Sequence, residues 1–369
     1  MHHFLHQSPW NAEDVMDAVA HSFVDLAEAQ GLKDSLNLII DESAFSKKGQ
    51  HSAGVTRQYN GNRGKIDNCQ VGVFGALNAE GLTSLVQAKL YDPASGQTKI
   101  DLAREIIMHQ VKDLGIDVQY VCMDAFYGRD SSLLATLKEK GIHFIADVPE
   151  NLCICLEPFQ LRLPKSEGRG RKPTRRVPNK PFVRINAYAE SLKKSDYQQL
   201  SFRYGSGKRL KAKFHCTTVY IQHPQKGTKM ELKLLIRKDL DGTIKYSLCY
   251  PRANDTIKDL AYHQSTRFFI EHAFRNNKQH LKMNQYQTRS EKAWEKHMAL
   301  CMLAMLFVTK DQITCYIKEK IYLSAQDITR IIISVILFAD ERIKQNIDEI
   351  WLKANKYKHL ARNKFYIRT

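Results

Sequence analysis

A mixed α/β fold, in which a mixed sheet is flanked by helices, is predicted for this 369-residue chain by three observations. Two apolar runs of strand length, LNLIID and VQYVCMD, each end on an aspartate. Residues 68–77 (NCQVGVFGAL) and 82–90 (LTSLVQAKL) read as two more strands, joined across Asn78–Gly81 by residues suited to a hairpin turn. Stretches with helical periodicity alternate with strands after residue 99, the pattern of crossover connections. At 43% hydrophobic residues, a chain of this length can bury one large core or two ordinary ones.

Taken in order, Ala12, Val15, Met16, Val19, Phe23 and Leu26 repeat at helical spacing after a capping Asn11. The strand ending on Asp41 follows, then the hairpin. A helix over 99–114, the strand ending on Asp124, a helix over 131–140 and a strand over 143–148 come next. This order matches the ribonuclease-H-like fold. From Pro149 the character changes. A stretch rich in Gly, Pro and Arg (KSEGRGRKPTRRVPNKP) leads into four alternating segments, 198–204, 210–222, 231–237 and 244–250. Beyond Thr256 the pattern is helical to the end. The expected organisation is residues 1–149 as the first part of the core, 150–252 as an inserted β-rich basic module, 253–310 as the rest of the core, and 311–369 as a helical C-terminal region.

The formal net charge is +17, and self-repulsion of that size is relieved by a polyanion, so nucleic acid is the expected partner. Positive charge thickens between Arg162 and Lys213, where Arg169, Arg171, Lys172, Arg175 and Arg176 fall close together. Lys47, Lys48 and Arg57 mark a second basic stretch, expected as a loop between the first and second strands that guides DNA. Eight cysteines without a regular framework fit a reduced, cytoplasmic protein. The apolar runs over 298–308 and 331–338 are shorter than a bilayer span requires, so no membrane is expected as a partner.

Chemistry concentrates in STRFFIEHAFRNNKQHL, where Arg267, Glu271 and Lys278 are spaced Arg-x3-Glu-x6-Lys. At 100° per residue they fall within about 40° of one another on a helix. Phe269, Ile270, Ala273, Phe274 and Leu281 cover an adjoining arc, so the helix can pack while its charged edge borders a cleft. One carboxylate between a guanidinium and an ammonium can hold a metal and a phosphate together. Alone, Arg267 and Glu271 would make an ordinary surface pair at i and i+4. The two aspartates change the weighting, because carboxylates at the ends of neighbouring strands can share a pair of hard cations roughly 3.5 to 4 Å apart.

With Ser8-Pro9-Trp10, LNLIIDESAFSKKGQHSAGVTRQYNGNRGKIDNCQVGV, VCMDAFYG, FFIEHAFRNNKQHLKMNQYQTRS and KHMALCMLAMLFV, the sequence resembles the DDE-type transposases of bacterial insertion sequences. It is similar to the group with a Tyr-x2-Arg-x3-Glu-x6-Lys signature. The resemblance implies that Asp41, Asp124 and Glu271 bind two Mg2+ ions, with Mn2+ as a substitute. It further implies that Arg267 and Lys278 contact DNA backbone near the cleaved element end. Gln264 stands at the signature's Tyr position, where its amide can donate to a phosphate oxygen. The implied activity is metal-dependent strand cleavage and strand transfer at the ends of an insertion sequence, with element ends and target DNA as partners. A bacterial, cytoplasmic protein is implied, associated with the nucleoid when bound to DNA and assembled on it as a homodimer. With 40 residues before Asp41, the chain is expected to be shortened at its N-terminus relative to such proteins. Two competing functions are a catalytically idle DNA-binding remnant or regulator, and a nuclease of the same fold without strand transfer.

Overall fold

A computed structural model of the chain describes residues 2–164, 174, 176–204, 209–223, 229–319, 321, 323–337, 345, 347–350 and 352–353. By its packing the chain divides into two compact units, residues 1–119 with 266–369, and residues 120–265. Both units are of mixed α/β character, with helices against strands, and the first also holds the helical C-terminal region, the ribonuclease-H-like class expected from the sequence.

In the first unit four strands pair antiparallel: β1 (Leu36–Ser46), β2 (Thr56–Asn60), β3 (Lys65–Ala79) and β4 (Leu82–Tyr91). β1 lies along one edge of β3 in a register that sets Asp41 opposite Phe74, and β2 and β4 share the other edge. The β3–β4 hairpin turns on Glu80 (φ 45°) and Gly81 (φ 97°), both in the left-handed region that a tight two-residue connection needs. β2 was expected as loop. Its sequence TRQYN carries a single apolar residue, and its pairing to residues 65–69 of β3 makes it a strand. β1 also runs five residues past Asp41, through Glu42 and Ser43, so Asp41 sits within the strand rather than at its end.

Helix Ala12–Ala29 is capped by Asn11, whose side chain accepts from the Glu13 amide (3.1 Å), and buries Met16, Val19 and Phe23. The 29-residue helix Glu291–Glu319 is longer than the apolar run at its centre, and by length and composition alone it is apolar enough to cross a membrane, a test that a buried core helix also passes. In this unit it instead carries Trp294, Met298 and Met302 into the core against β4 and helix Ala12–Ala29.

The core of the unit is an aromatic cluster. Phe74 of β3 meets Phe274 (ring centroids 5.2 Å) and Trp294 (6.0 Å), and Phe45 of β1 meets Trp294 (6.3 Å) and Tyr286 (5.7 Å). Trp294 Nε1 donates to the Tyr286 hydroxyl (3.0 Å), which donates to Gln70 Oε1 (2.8 Å). Gly72 admits the indole, since a Cβ there would stand 2.8 Å from two of its ring carbons. Three segments, Phe268–His280, the Tyr286 loop and Glu291–Glu319, are thereby seated on β1 and β3.

In the second unit β5 (Tyr120–Met123) runs parallel to β6 (Phe144–Val148), connected through helices Ala125–Gly128 and Ser131–Glu139. The short ladders β7 (Cys153–Ile154) with β10 (Val183–Arg184) and β8 (Leu161–Arg162) with β9 (Val177–Pro178) follow. β11 (Gln198–Tyr204), β12 (Arg209–Gln222), β13 (Lys229–Asp239) and β14 (Ile244–Tyr250) form an antiparallel meander. The four segments expected as strands within 150–252 are these four. Their last member pairs antiparallel with β6, so the meander continues the β5–β6 sheet of this unit.

Gly128 closes the turn that follows β5, and a Cβ there would meet the Asp147 carbonyl oxygen at 2.0 Å. Gly128→Ala is therefore expected to lower stability by at least about 1–3 kcal/mol, because the obstacle is backbone and cannot swing aside. Urea denaturation checks this, and an unchanged midpoint would contradict the packing.

Candidate active site

Asp41, Arg267 and Glu271 meet in the first unit. Arg267 donates from Nη1 to Asp41 Oδ2 (3.2 Å) and from Nη2 to Glu271 Oε1 (2.9 Å), so one guanidinium joins two carboxylates that are 230 positions apart in sequence. Asp41 Oδ1 accepts the Glu42 amide (2.8 Å). The Asp41 side chain is 15% exposed, and that of Glu271 46%. An isolated surface pair would have been open on both sides, whereas this bridge has one shielded end in β1.

Local sequence explains the placement. Arg267 stands between helix Ile257–Thr266 and helix Phe268–His280, with helical backbone (φ −50°, ψ −36°), so the run expected as continuous is interrupted there. Ile270, Ala273 and Phe274 face the core and leave Glu271 on the solvent side of the first turn. There the helix dipole favours a carboxylate. The helix runs along β1 in the same direction: Glu271 shares Arg267 with Asp41, and Lys278 Nζ donates to Ala44 O (3.4 Å). Seven helical residues rise about 10 Å and three strand residues about 10 Å, which is why the Glu-x6-Lys spacing keeps step with the strand.

Lys278 lies over the Phe45 ring (5.2 Å) and near Phe274 (5.9 Å). Lys47, just past the end of β1, lies over the Tyr286 ring (3.6 Å) and donates to Tyr286 O (3.4 Å). Arg267, Lys278 and Lys47 thus follow β1 from Asp41 outward. Burial pushes both lysine ammonium groups down, each to about 8. In the unfolded chain they hold their protons to the ordinary value of 10.5. Between these limits the unfolded state binds more protons, so stability rises with pH from about 8 to 10.5, and the burial cost is fully present below 8. The stability of Lys278→Met should therefore climb less steeply with pH than wild type across that window, measured by urea titration. Equal slopes would contradict the burial.

Asp124 belongs to the second unit. It follows β5 as expected and caps the turn Ala125–Gly128, Oδ1 accepting from the amides of Phe126 (3.0 Å) and Tyr127 (3.4 Å). The start of β5 is fastened by Tyr120, whose hydroxyl donates to Asp255 and accepts from the Arg252 amide (3.1 Å).

Among the other residues expected to face DNA, Lys48, Arg57 and Arg176 are exposed, Arg57 on β2 rather than in a loop. Arg169, Arg171, Lys172 and Arg175 lie outside the described residues. Gln264 is corrected. It is buried and donates from Nε2 to Ser247 Oγ (2.6 Å), so its amide is turned to the protein rather than to a phosphate. The sequence reading missed Tyr286 as the platform under Lys47. The only available signal was an aromatic residue in the polar stretch KMNQYQTRS.

The donor set suits a hard divalent cation, since Asp41 Oδ2 and Glu271 Oε1 are carboxylate oxygens already directed at a single cationic group. Arg267 competes with such an ion for the same oxygens. Arg267→Gln is expected to tighten Mn2+ binding several-fold by titration calorimetry, and weaker binding would show that the guanidinium supports the site instead.

Residues 1–209, which include Asp41 and Asp124, match the family model described as DDE superfamily endonuclease. Over 170 residues the chain is 28% identical to a protein of Microchaete diplosiphon named as a probable transposase for insertion sequence element IS701. That stretch is 43% of this chain and 43% of the relative, so the chain is matched to less than half of that protein's length. With a family match over more than half its residues and two of the expected carboxylates joined by the signature arginine, the chain belongs to the DDE superfamily endonucleases.

Proposed function

We propose that this chain is a DNA transposase that cuts strands at the ends of an insertion sequence and joins them to target DNA. The observation that carries the proposal is the Arg267 bridge, which gathers Asp41 and Glu271 from distant parts of the sequence into one charged site. Asp41, Asp124 and Glu271 would hold two divalent ions, Mg2+ or its substitute Mn2+. When bound, those ions supply the charge that activates water or a 3′-hydroxyl and that offsets the developing phosphorane. Superfamily members generally use divalent metals, which supports a metal requirement here.

The protein's own residues bind and orient the DNA. Arg267, whose planar fork now bridges Asp41 and Glu271, would offer the same donors to a phosphate of the bound strand. Lys278 and Lys47 hold the next phosphates as fixed charges along β1. Both must be protonated to do so, so DNA affinity should fall as pH rises above about 8, while the folded state gains stability over the same range. Element ends and target DNA are the partners, two copies of the chain act on two ends, and the setting is the bacterial cytoplasm at the nucleoid.

Incubation with a labelled end of the encoding element, Mg2+ or Mn2+ and a supercoiled target tests the proposal. Labelled end joined to target is the expected product. Hydrolysis without joining would leave a nuclease, and retention of intact DNA would leave a binding protein.

A further inference from the structure

Within the second unit, the meander places two lysines in direct opposition. Lys213 of β12 and Lys238 of β13 are register partners, in a transverse row that runs Gln199, Lys213, Lys238, Ile244 across β11 to β14. Directly opposed side chains have Cβ atoms about 4.5–5.5 Å apart, and like charges so placed are destabilising. Both lysines are exposed, and among the described residues neither has a carboxylate within salt-bridge distance. A sheet that keeps such a pair unrelieved is built to have the charge neutralised from outside.

The setting narrows the neutralising group. Both lysines line a cavity of about 480 Å3 together with Lys194, Tyr197 and Tyr246. Two residues along the same face, His215 and Tyr246 flank Ile236, and Tyr188 of helix Ile185–Ser191 shares a hydrogen bond with His215 Nε2 (3.0 Å). The cavity itself is lined by two aromatic rings, Tyr197 and Tyr246, and three ammonium groups. Glu150 and Glu190 also line it, and they leave the lysines in excess by one charge. A chain of phosphates matches the exposed Lys213–Lys238 pair, where two ammonium groups stand side by side on one face of the sheet.

We infer that Lys213, Lys238 and Lys194 form a second contact for the DNA phosphate backbone, separate from the one along β1. It rests on the reading of the chain as a DNA-binding transposase, and it joins Lys194 and Lys213, at the far end of the basic stretch from Arg162, to Lys238 of β13, which lies outside that stretch.

The test is duplex binding by fluorescence anisotropy across a salt series, with urea denaturation of the same proteins. Each phosphate contact contributes about 0.9 to the slope of log K against log salt. Lys213→Gln with Lys238→Gln should therefore flatten the slope by about 1.8. The urea midpoint should stay the same or rise, because the repulsion is relieved. Lys33→Gln with Lys140→Gln, which removes the same charge elsewhere, should leave the slope at the wild-type value. A slope in the first double variant equal to wild type, or matched by the second, overturns this contact alone. A wild-type chain that does not bind duplex DNA overturns the transposase reading with it.

Discussion

Glu271→Gln is expected to lower strand cleavage by at least on the order of 10²-fold, the scale on which loss of one charge-stabilising group reduces kcat. The amide keeps the size of the side chain and can still accept from Arg267, but it lacks the charge that a hard cation requires. Folding stability should change by less than about 1 kcal/mol, because the Glu271 side chain is nearly half exposed and the pair is worth little by itself. DNA affinity without metal should persist. A structural role for the Arg267–Glu271 pair makes the opposite forecast, a small stability loss with cleavage intact, and measuring both quantities on one preparation separates them.

Trp294→Ala should be the most damaging core substitution in the first unit, at about 3–5 kcal/mol. Its indole touches Phe45 and Phe74, fills the space that Gly72 leaves, and donates to the Tyr286 hydroxyl. Trp294→Phe keeps most of the packing but removes the donor, so a smaller loss of about 0.5–1.5 kcal/mol beyond the change in volume is expected. Because the same cluster seats Phe274, the alanine variant should also loosen the helix that carries Glu271. Cleavage should then fall even at temperatures where the protein remains folded. Denaturation midpoints close to wild type for the alanine variant would show that the cluster does not hold the helices on the sheet.

Much of this arrangement was legible in the sequence because its signals are local. Apolar runs gave β1, β3, β4 and β5, the alternating segments gave the meander, and helical periodicity after Asn11 gave the helix that it caps. The spacing of Arg267 and Glu271 gave their pairing. What remained hidden depends on contacts that spacing cannot show. β2 is polar and exists only by pairing with β3. β1 continues past Asp41 through polar residues because β3 supplies partners as far as Cys69. The break at Arg267 and the burial of Gln264 against Ser247 arise from packing in three dimensions, so a residue that aligned with a signature tyrosine faces inward. The opposed lysines of β12 and β13 needed the register of the meander, which neither segment reveals alone.

Asp41, Asp124 and Glu271 are proposed to serve one metal centre. Loading the DNA-bound protein with Fe2+ in place of Mg2+ and adding ascorbate and peroxide releases hydroxyl radicals that cut the polypeptide next to the bound ion. Cuts are expected around residues 41, 124 and 271 together, all suppressed by excess Mg2+ and all lost in Asp41→Asn. Cuts near 41 and 271 without any near 124, or a pattern indifferent to Mg2+, would contradict it.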